Sequence, residues 1–262
     1  MASAARERRG VMHVFVAEYN PERSRTVVLL HGGGVAGWMW EPVRAELGDE
    51  YHLIVPDMPG HDHSADEDYV SHEQTLKQLR AMLAERATGP VHVGGFSLGA
   101  QLALALASEN PELVSGVVSI SALAIPARAL GLTRVLLSST AGLAKNEQFA
   151  RAQAKALGVP PALVPNYLRT SESISKTTLL TVVAANGAFV PPSGWERFTG
   201  AAIVLAGGRE PRPVQRSARL LHAANPRSTL ELDPDAGHTL PFSNPALVAR
   251  SIRTVTIGHG EA

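Results

Sequence analysis

The sequence predicts an α/β fold built on a mostly parallel, doubly wound sheet. Short apolar runs of strand length alternate with helical periodicity along most of its 262 residues. That rhythm belongs to strand–helix units whose sheet is covered on both faces. The runs at 26–30 and 201–206 are apolar at almost every position, as strands buried on both sides read. Hydrophobic residues make up 45% of the chain and charged residues 18%. That is enough apolar material for one large domain, or for a core with an inserted subdomain.

Residues 11–17 read as the first strand, closed by a polar turn at Asn20 and Pro21. Residues 26–30 form a buried strand that runs into His31-Gly32-Gly33-Gly34. A short helix at 40–47 tolerates Pro42 in its first turn. A strand at 52–55 ends at Asp57-Met58-Pro59-Gly60. Ser71, with Gln74 three residues on, caps a helix reaching about residue 86. Residues 91–93 form a strand, the Ala/Leu-rich run 100–107 a helix, and 114–120 a further strand. From about 122 to 198 the pattern is helical and broken by Pro126, Gly142, Gly158, Pro160, Pro161, Pro165, Pro191 and Pro192. This stretch reads as a helical insertion, leaving a core of 1–121 and 199–262. The alternation then resumes with a strand at 201–206, a helix at 214–224, a strand at 228–232 and a closing helix at 245–256. The first nine residues and 258–262 lack any pattern and read as frayed.

Lys+Arg and Asp+Glu balance at 24 each. A neutral chain is not built to neutralise phosphates, so neither nucleic acid nor an anionic membrane is expected as a partner. Cysteine is absent, which excludes disulfides, thiol catalysis and zinc-thiolate sites. Residues 1–9 carry charges with no apolar stretch behind them, and no run approaches 18 apolar residues. The expectation is therefore a cytoplasmic protein without a signal peptide or membrane span.

The chemistry is signalled by Gly95-Phe96-Ser97-Leu98-Gly99, between an apolar strand and an Ala/Leu-rich helix. In that context Gly-x-Ser-x-Gly forms a nucleophile elbow. The sharp turn strains the serine and presents its hydroxyl at a helix N-terminus, where developing negative charge is favoured. A second pattern, His61-Asp62-His63-Ser64-Ala65-Asp66, has the residue types of a metal site. It also fits Asp-x-Pro-Gly-His-Gly-x-Ser starting at Asp57, through Asp57, Pro59, Gly60, His61 and Ser64. The second fit is preferred, and no metal is expected.

These motifs fall in a fixed order: His31-Gly32-Gly33-Gly34, then Asp57-Met58-Pro59-Gly60, then the corner at Ser97, then Gly237-His238 after the last strand. With them in that order the chain resembles the α/β-hydrolase superfamily, in its capped serine hydrolase or esterase form, over nearly its whole length. The resemblance implies a cap between what that family counts as its sixth and seventh core strands, which is where the helical insertion falls. It implies a triad ordered serine, acid, histidine: Ser97 as nucleophile, His238 as base, and Glu210 as acid in Gly207-Gly208-Arg209-Glu210, where the family has Gly-x-x-Asp. Asp233 and Asp235 are rivals by proximity to His238. The family's other acid position, near Ser121-Ala122-Leu123, has no carboxylate. It implies an oxyanion hole from the backbone N–H groups of Leu98 and of Gly33 or Gly34. Gly34, Trp38 and Phe96 are candidate substrate-binding residues.

The implied activity is cofactor-free hydrolysis of a small, mainly apolar ester, thioester or lactone, with a homodimer allowed. Carbon–carbon bond hydrolases, perhydrolases and hydroxynitrile lyases share the same motifs. A ligand receptor with negligible turnover is the reading from another class.

Overall fold

The computed structural model describes residues 14–126 and 146–257. The frayed ends expected at 1–9 and 258–262, and the part of the insertion at 127–145, lie outside the described residues. The strands are β1 (Val16–Tyr19), β2 (Thr26–Leu30), β3 (His52–Pro56), β4 (Val91–Phe96), β5 (Val114–Ile120), β6 (Ala201–Gly207) and β7 (Thr229–Asp233). They form one sheet in the order β1-β3-β2-β4-β5-β6-β7. β1 is antiparallel to β3, with Val16 opposite Pro56, and every other neighbouring pair is parallel.

β1 lies further along the chain than its apolar run suggested. An edge strand tolerates polar residues, and Glu18 is held there by His52 Nε2 at 2.6 Å and Arg86 at 2.8 Å. β4 runs on through Gly94 and Gly95 to Phe96, because its ladder with β5 continues past the last branched residue.

The helices are α1 (Glu41–Leu47), α2 (His72–Arg86), α3 (Leu98–Glu109), α4 (Glu147–Ala156), α5 (Val164–Ser173), α6 (Lys176–Ala188), α7 (Arg212–Ala224), α8 (Leu240–Ser243) and α9 (Pro245–Ile257). Alternation along the strands sorts the core into two layers. Val28, Leu30, Ile54, Val93, Val117 and Val204 pack with α2, α3 and α7. Val27, Leu29, Leu53, Val55, Val118 and Leu205 pack with α1 and α9. The sheet is thus doubly wound. Ser71 caps α2 as its sequence suggested, accepting from Gln74 N at 3.1 Å.

Helices α4, α5 and α6 lie between β5 and β6. Counted along this chain the insertion follows the fifth strand, which the resemblance numbers sixth. No helix among the described residues is long and apolar enough to cross a membrane.

One topological feature positions the site. The chain leaves β2 toward β3 on one side, and β4 returns on the other. Helix α1 goes to one face and α3 to the other. The carboxyl ends of β2 and β4 therefore flank a switch point, the crevice where open α/β sheets bind ligands.

Candidate active site

Ser97 is the single residue between β4 and α3. Its φ of 52° and ψ of −110° place it where a non-glycine residue is strained. The conformation is locked on both sides. Ser97 N donates to Ile120 O at 2.8 Å, and Ser97 O accepts from Ala100 N and Gln101 N. The flanking glycines are required by close approach. A Cβ on Gly95 would overlap the Gly99 carbonyl, and one on Gly99 would overlap the carbonyl of Leu30. The first N–H groups of α3, Leu98 among them, have no acceptor within the helix.

The loop after β2 packs on this corner. A Cβ on Gly32 would stand 2.8 Å from Phe96 Cδ1, and one on Gly33 would stand 3.9 Å from Leu98 Cδ2. His31, fully buried, ties the loop down: its Nδ1 donates to Gly32 O and its Nε2 accepts from Met58 N, both at 2.8 Å. Burial first, and the nearby His61 ring second, hold the His31 pKa well below its ordinary value. It is built to stay neutral.

His238 follows β7 on the same edge of the sheet. Its ring lies 4.9 Å from that of Phe96, the residue before Ser97. Its Nδ1 is 3.5 Å from Glu210 Oε2. That is long for a hydrogen bond, yet neither buried atom has any other partner among the described residues. Catalytic hydrogen bonds often tighten only when substrate binds. No hydrogen bond joins Ser97 Oγ to His238 among the described residues. The Glu210 side chain is completely buried. Its Oε1 accepts from Ser121 Oγ and, at 3.2 Å, from Gly207 N. Where the sequence offered no carboxylate, at Ser121, the structure supplies a hydroxyl to the carboxylate across the sheet. Only its position beside the alternative acid site could have signalled this.

The rival aspartates are engaged elsewhere. Asp233 accepts from Asn244 Nδ2 at 2.8 Å and from Asp235 N at 3.0 Å, and these bonds lower its pKa. Asp235 pairs with Arg209 at 2.5 Å.

The insertion covers this corner through α6. Thr178 packs on Gly60, Val182 Cγ1 stands 2.7 Å from where a Gly33 Cβ would be, and Asn186 O accepts from Gln101 Nε2 at 3.0 Å. Positions 178, 182 and 186 form one stripe of the helix. Sequence reasoning missed this stripe, because the period of a helix says nothing of which loop it meets. Trp38 is buried under α5, its Nε1 donating to Thr170 Oγ1 at 2.9 Å and its ring stacked on Phe242. Phe96 is buried as well, whereas a Cβ on Gly34 (φ 78°) would meet nothing within 4 Å.

The residues of the apparent metal pattern do not converge as a set. His61 is turned inward, its Nδ1 bonded to Pro59 O at 2.9 Å. Asp57, Asp62 and His63 do bring one potential ligand atom each within 4.8 Å of the others. The Arg169 guanidinium already grips Asp62 with bonds of 2.7 and 2.8 Å, and Asp57 accepts from Gly37 N at 2.7 Å. This cluster is a tie between α5 and the loop after β3. A cavity of about 450 Å³ lined by His92, Ser115, Gly200 and Arg227 opens at the amino ends of β4–β6, away from Ser97.

Comparison with known proteins gives a consistent picture. The model of the alpha/beta hydrolase family matches residues 27–251. An AB hydrolase superfamily protein of Gibberella zeae is 38% identical over 103 residues, 38% of this chain and only 36% of that protein. Lipase LipV of Mycobacterium tuberculosis is 28% identical across 93% of this chain and 98% of its own length. Among solved structures, the esterase EaEST of Exiguobacterium antarcticum superposes with a TM-score of 0.78 at 16% identity, covering 93% of this chain and 95% of that one. That last likeness speaks to the fold alone.

Proposed function

The chain belongs to the alpha/beta hydrolase family, and from that membership we propose that it is a cofactor-free serine hydrolase. It cleaves a small, mainly apolar ester, thioester or lactone through an acyl-enzyme on Ser97, with the helical insertion at 122–198 as its cap. A serine hydroxyl is a poor nucleophile at neutral pH and needs a base. His238 takes the proton as Ser97 attacks the carbonyl carbon. Leu98 N–H and an N–H from Gly33 or Gly34 hold the oxyanion. Glu210 orients the imidazole and stabilises the imidazolium, which then protonates the leaving group. Water repeats the cycle on the acyl-enzyme and releases the acid.

The observation that carries this reading is the facing pair of His238 Nδ1 and Glu210 Oε2, 3.5 Å apart and without another partner among the described residues, beside the strained corner at Ser97. Relatives named as lipase and esterase agree with it. A fluorophosphonate probe tests it. Labelling is expected at Ser97, absent in Ser97→Ala and slowed in His238→Ala. A folded wild-type protein that stays unlabelled refutes the activated nucleophile. A panel of p-nitrophenyl esters of rising chain length, with lactones alongside, then identifies the preferred substrate.

A further inference from the structure

We propose that Ser121 is the positioning residue for Glu210, its hydroxyl fixing which carboxylate oxygen is turned to His238. The proposal rests on the reading of Glu210 as the triad acid.

Two independent observations meet at this residue. The first is strain. Ser121 has a φ of 58°, a conformation glycine adopts freely and serine does not. It stands one residue beyond β5 just as Ser97 stands one residue beyond β4. Both donate their backbone N–H to the neighbouring strand at 2.8 Å, Ser97 to Ile120 O and Ser121 to Leu205 O. The same corner is therefore built twice, on adjacent strands. A serine kept where glycine is easier points to a use for the hydroxyl.

The second observation is that use. Ser121 Oγ donates to Glu210 Oε1, which also accepts from Gly207 N at 3.2 Å. Both donors fall on one oxygen, so the other, Oε2, is left to face His238 Nδ1. Glutamate has one more rotatable bond than aspartate between backbone and carboxylate. Two tethers on Oε1 remove the rotation that this extra bond would allow. Both residues are buried, so water does not substitute for a lost donor.

Ser121→Gly separates this role from a structural one, because it removes the hydroxyl while relieving the backbone. Turnover is measured on the best p-nitrophenyl ester of the panel, the labelling rate of Ser97 with the fluorophosphonate probe, and Tm by thermal unfolding. The expected result is a 10- to 100-fold fall in kcat and in labelling rate, KM within about twofold, and Tm unchanged or raised. Ser121→Ala, which keeps Cβ, is expected to lose the same activity. In a Glu210→Ala background, Ser121→Gly is expected to cost nothing further, because residues acting through one group are non-additive.

Wild-type kcat in Ser121→Gly beside an inactive Glu210→Ala overturns the Ser121 role and leaves the triad standing. A loss that persists in the Glu210→Ala background, or that tracks a fall in Tm, makes Ser121 structural and also overturns the proposal. An active Glu210→Ala removes the acid assignment and the proposal together.

Discussion

Asn20, Asp62, Ser97 and Ser121 are the non-glycine residues with positive φ among the described residues. Each follows the carboxyl end of a strand, and three of them, Asp62, Ser97 and Ser121, do so on the edge of the sheet that carries the candidate site, where strain held by surrounding structure accompanies function. The corner at Ser97 tolerates no added atoms behind it. Gly99→Ala is expected to destabilise the fold by about 1–3 kcal/mol, because its Cβ meets backbone that cannot retreat; a denaturant titration would read it, and a neutral result would show that α3 can slide. The acid assignment is open to a similar contrast. Glu210→Ala should lower kcat by roughly 10²–10⁴. Asp233→Ala should stay within a few fold, since its bonds go to Asn244 and the Asp235 backbone; if Asp233→Ala is the more damaged, the acid is Asp233. Ser97, His238 and Glu210 could be singled out as candidates in the sequence because motif glycines and chain order mark them, and the structure brings His238 and Glu210 face to face beside the corner at Ser97. The hydrogen bond from Ser121 to Glu210 was not legible, since the partners lie 89 positions apart and a lone serine carries no pattern.

Elements were read well where hydrophobic period was strong and poorly where tertiary pairing sets the ends. β2 and β5 match the sequence reading residue for residue, while β4 gains Gly94, Gly95 and Phe96 from its ladder. Helix α8 went unseen because four residues hold no period. Which loop each inserted helix meets was equally hidden. The tie between α5 and the loop after β3 is a case in point. Asp62 is buried, and the half-exposed Arg169 holds both its oxygens. Among the described residues, Arg169→Ala leaves that carboxylate with His63 as its ion-pair partner, 3.7 Å away. Stability is expected to fall by about 1–3 kcal/mol in chemical denaturation. A change below about 0.5 kcal/mol would rank the contact with ordinary surface ion pairs.

Taken whole, the protein carries histidines that burial holds neutral. Burial lowers the pKa of His31, brings that of His61 from 6.5 to about 4, and lowers that of His72, which is bonded to Gln101. The unfolded chain protonates these rings near 6.5, so it binds more protons than the folded chain below that pH. Their contribution to stability is complete above 6.5 and is lost as pH falls toward 4. Buried Asp57, its pKa raised, works the other way, one carboxyl against these three imidazoles and that of His92, whose pKa burial also lowers. The denaturation midpoint should therefore be lower at pH 5 than at pH 7, and His61→Gln should flatten the slope; a pH-independent midpoint would mean that the rings titrate alike in both states. The layered sheet behind this behaviour was the most legible level of all, since burial on both faces is written into each strand. The manner in which α6 lies across the glycine loops has a practical consequence for anyone reshaping the cleft. Room at positions 33 and 60 is rented from Val182 and Thr178, more than a hundred residues downstream. A library that varies either glycine singly sets the new Cβ against those side chains, so designs that enlarge one side must trim its distant counterpart.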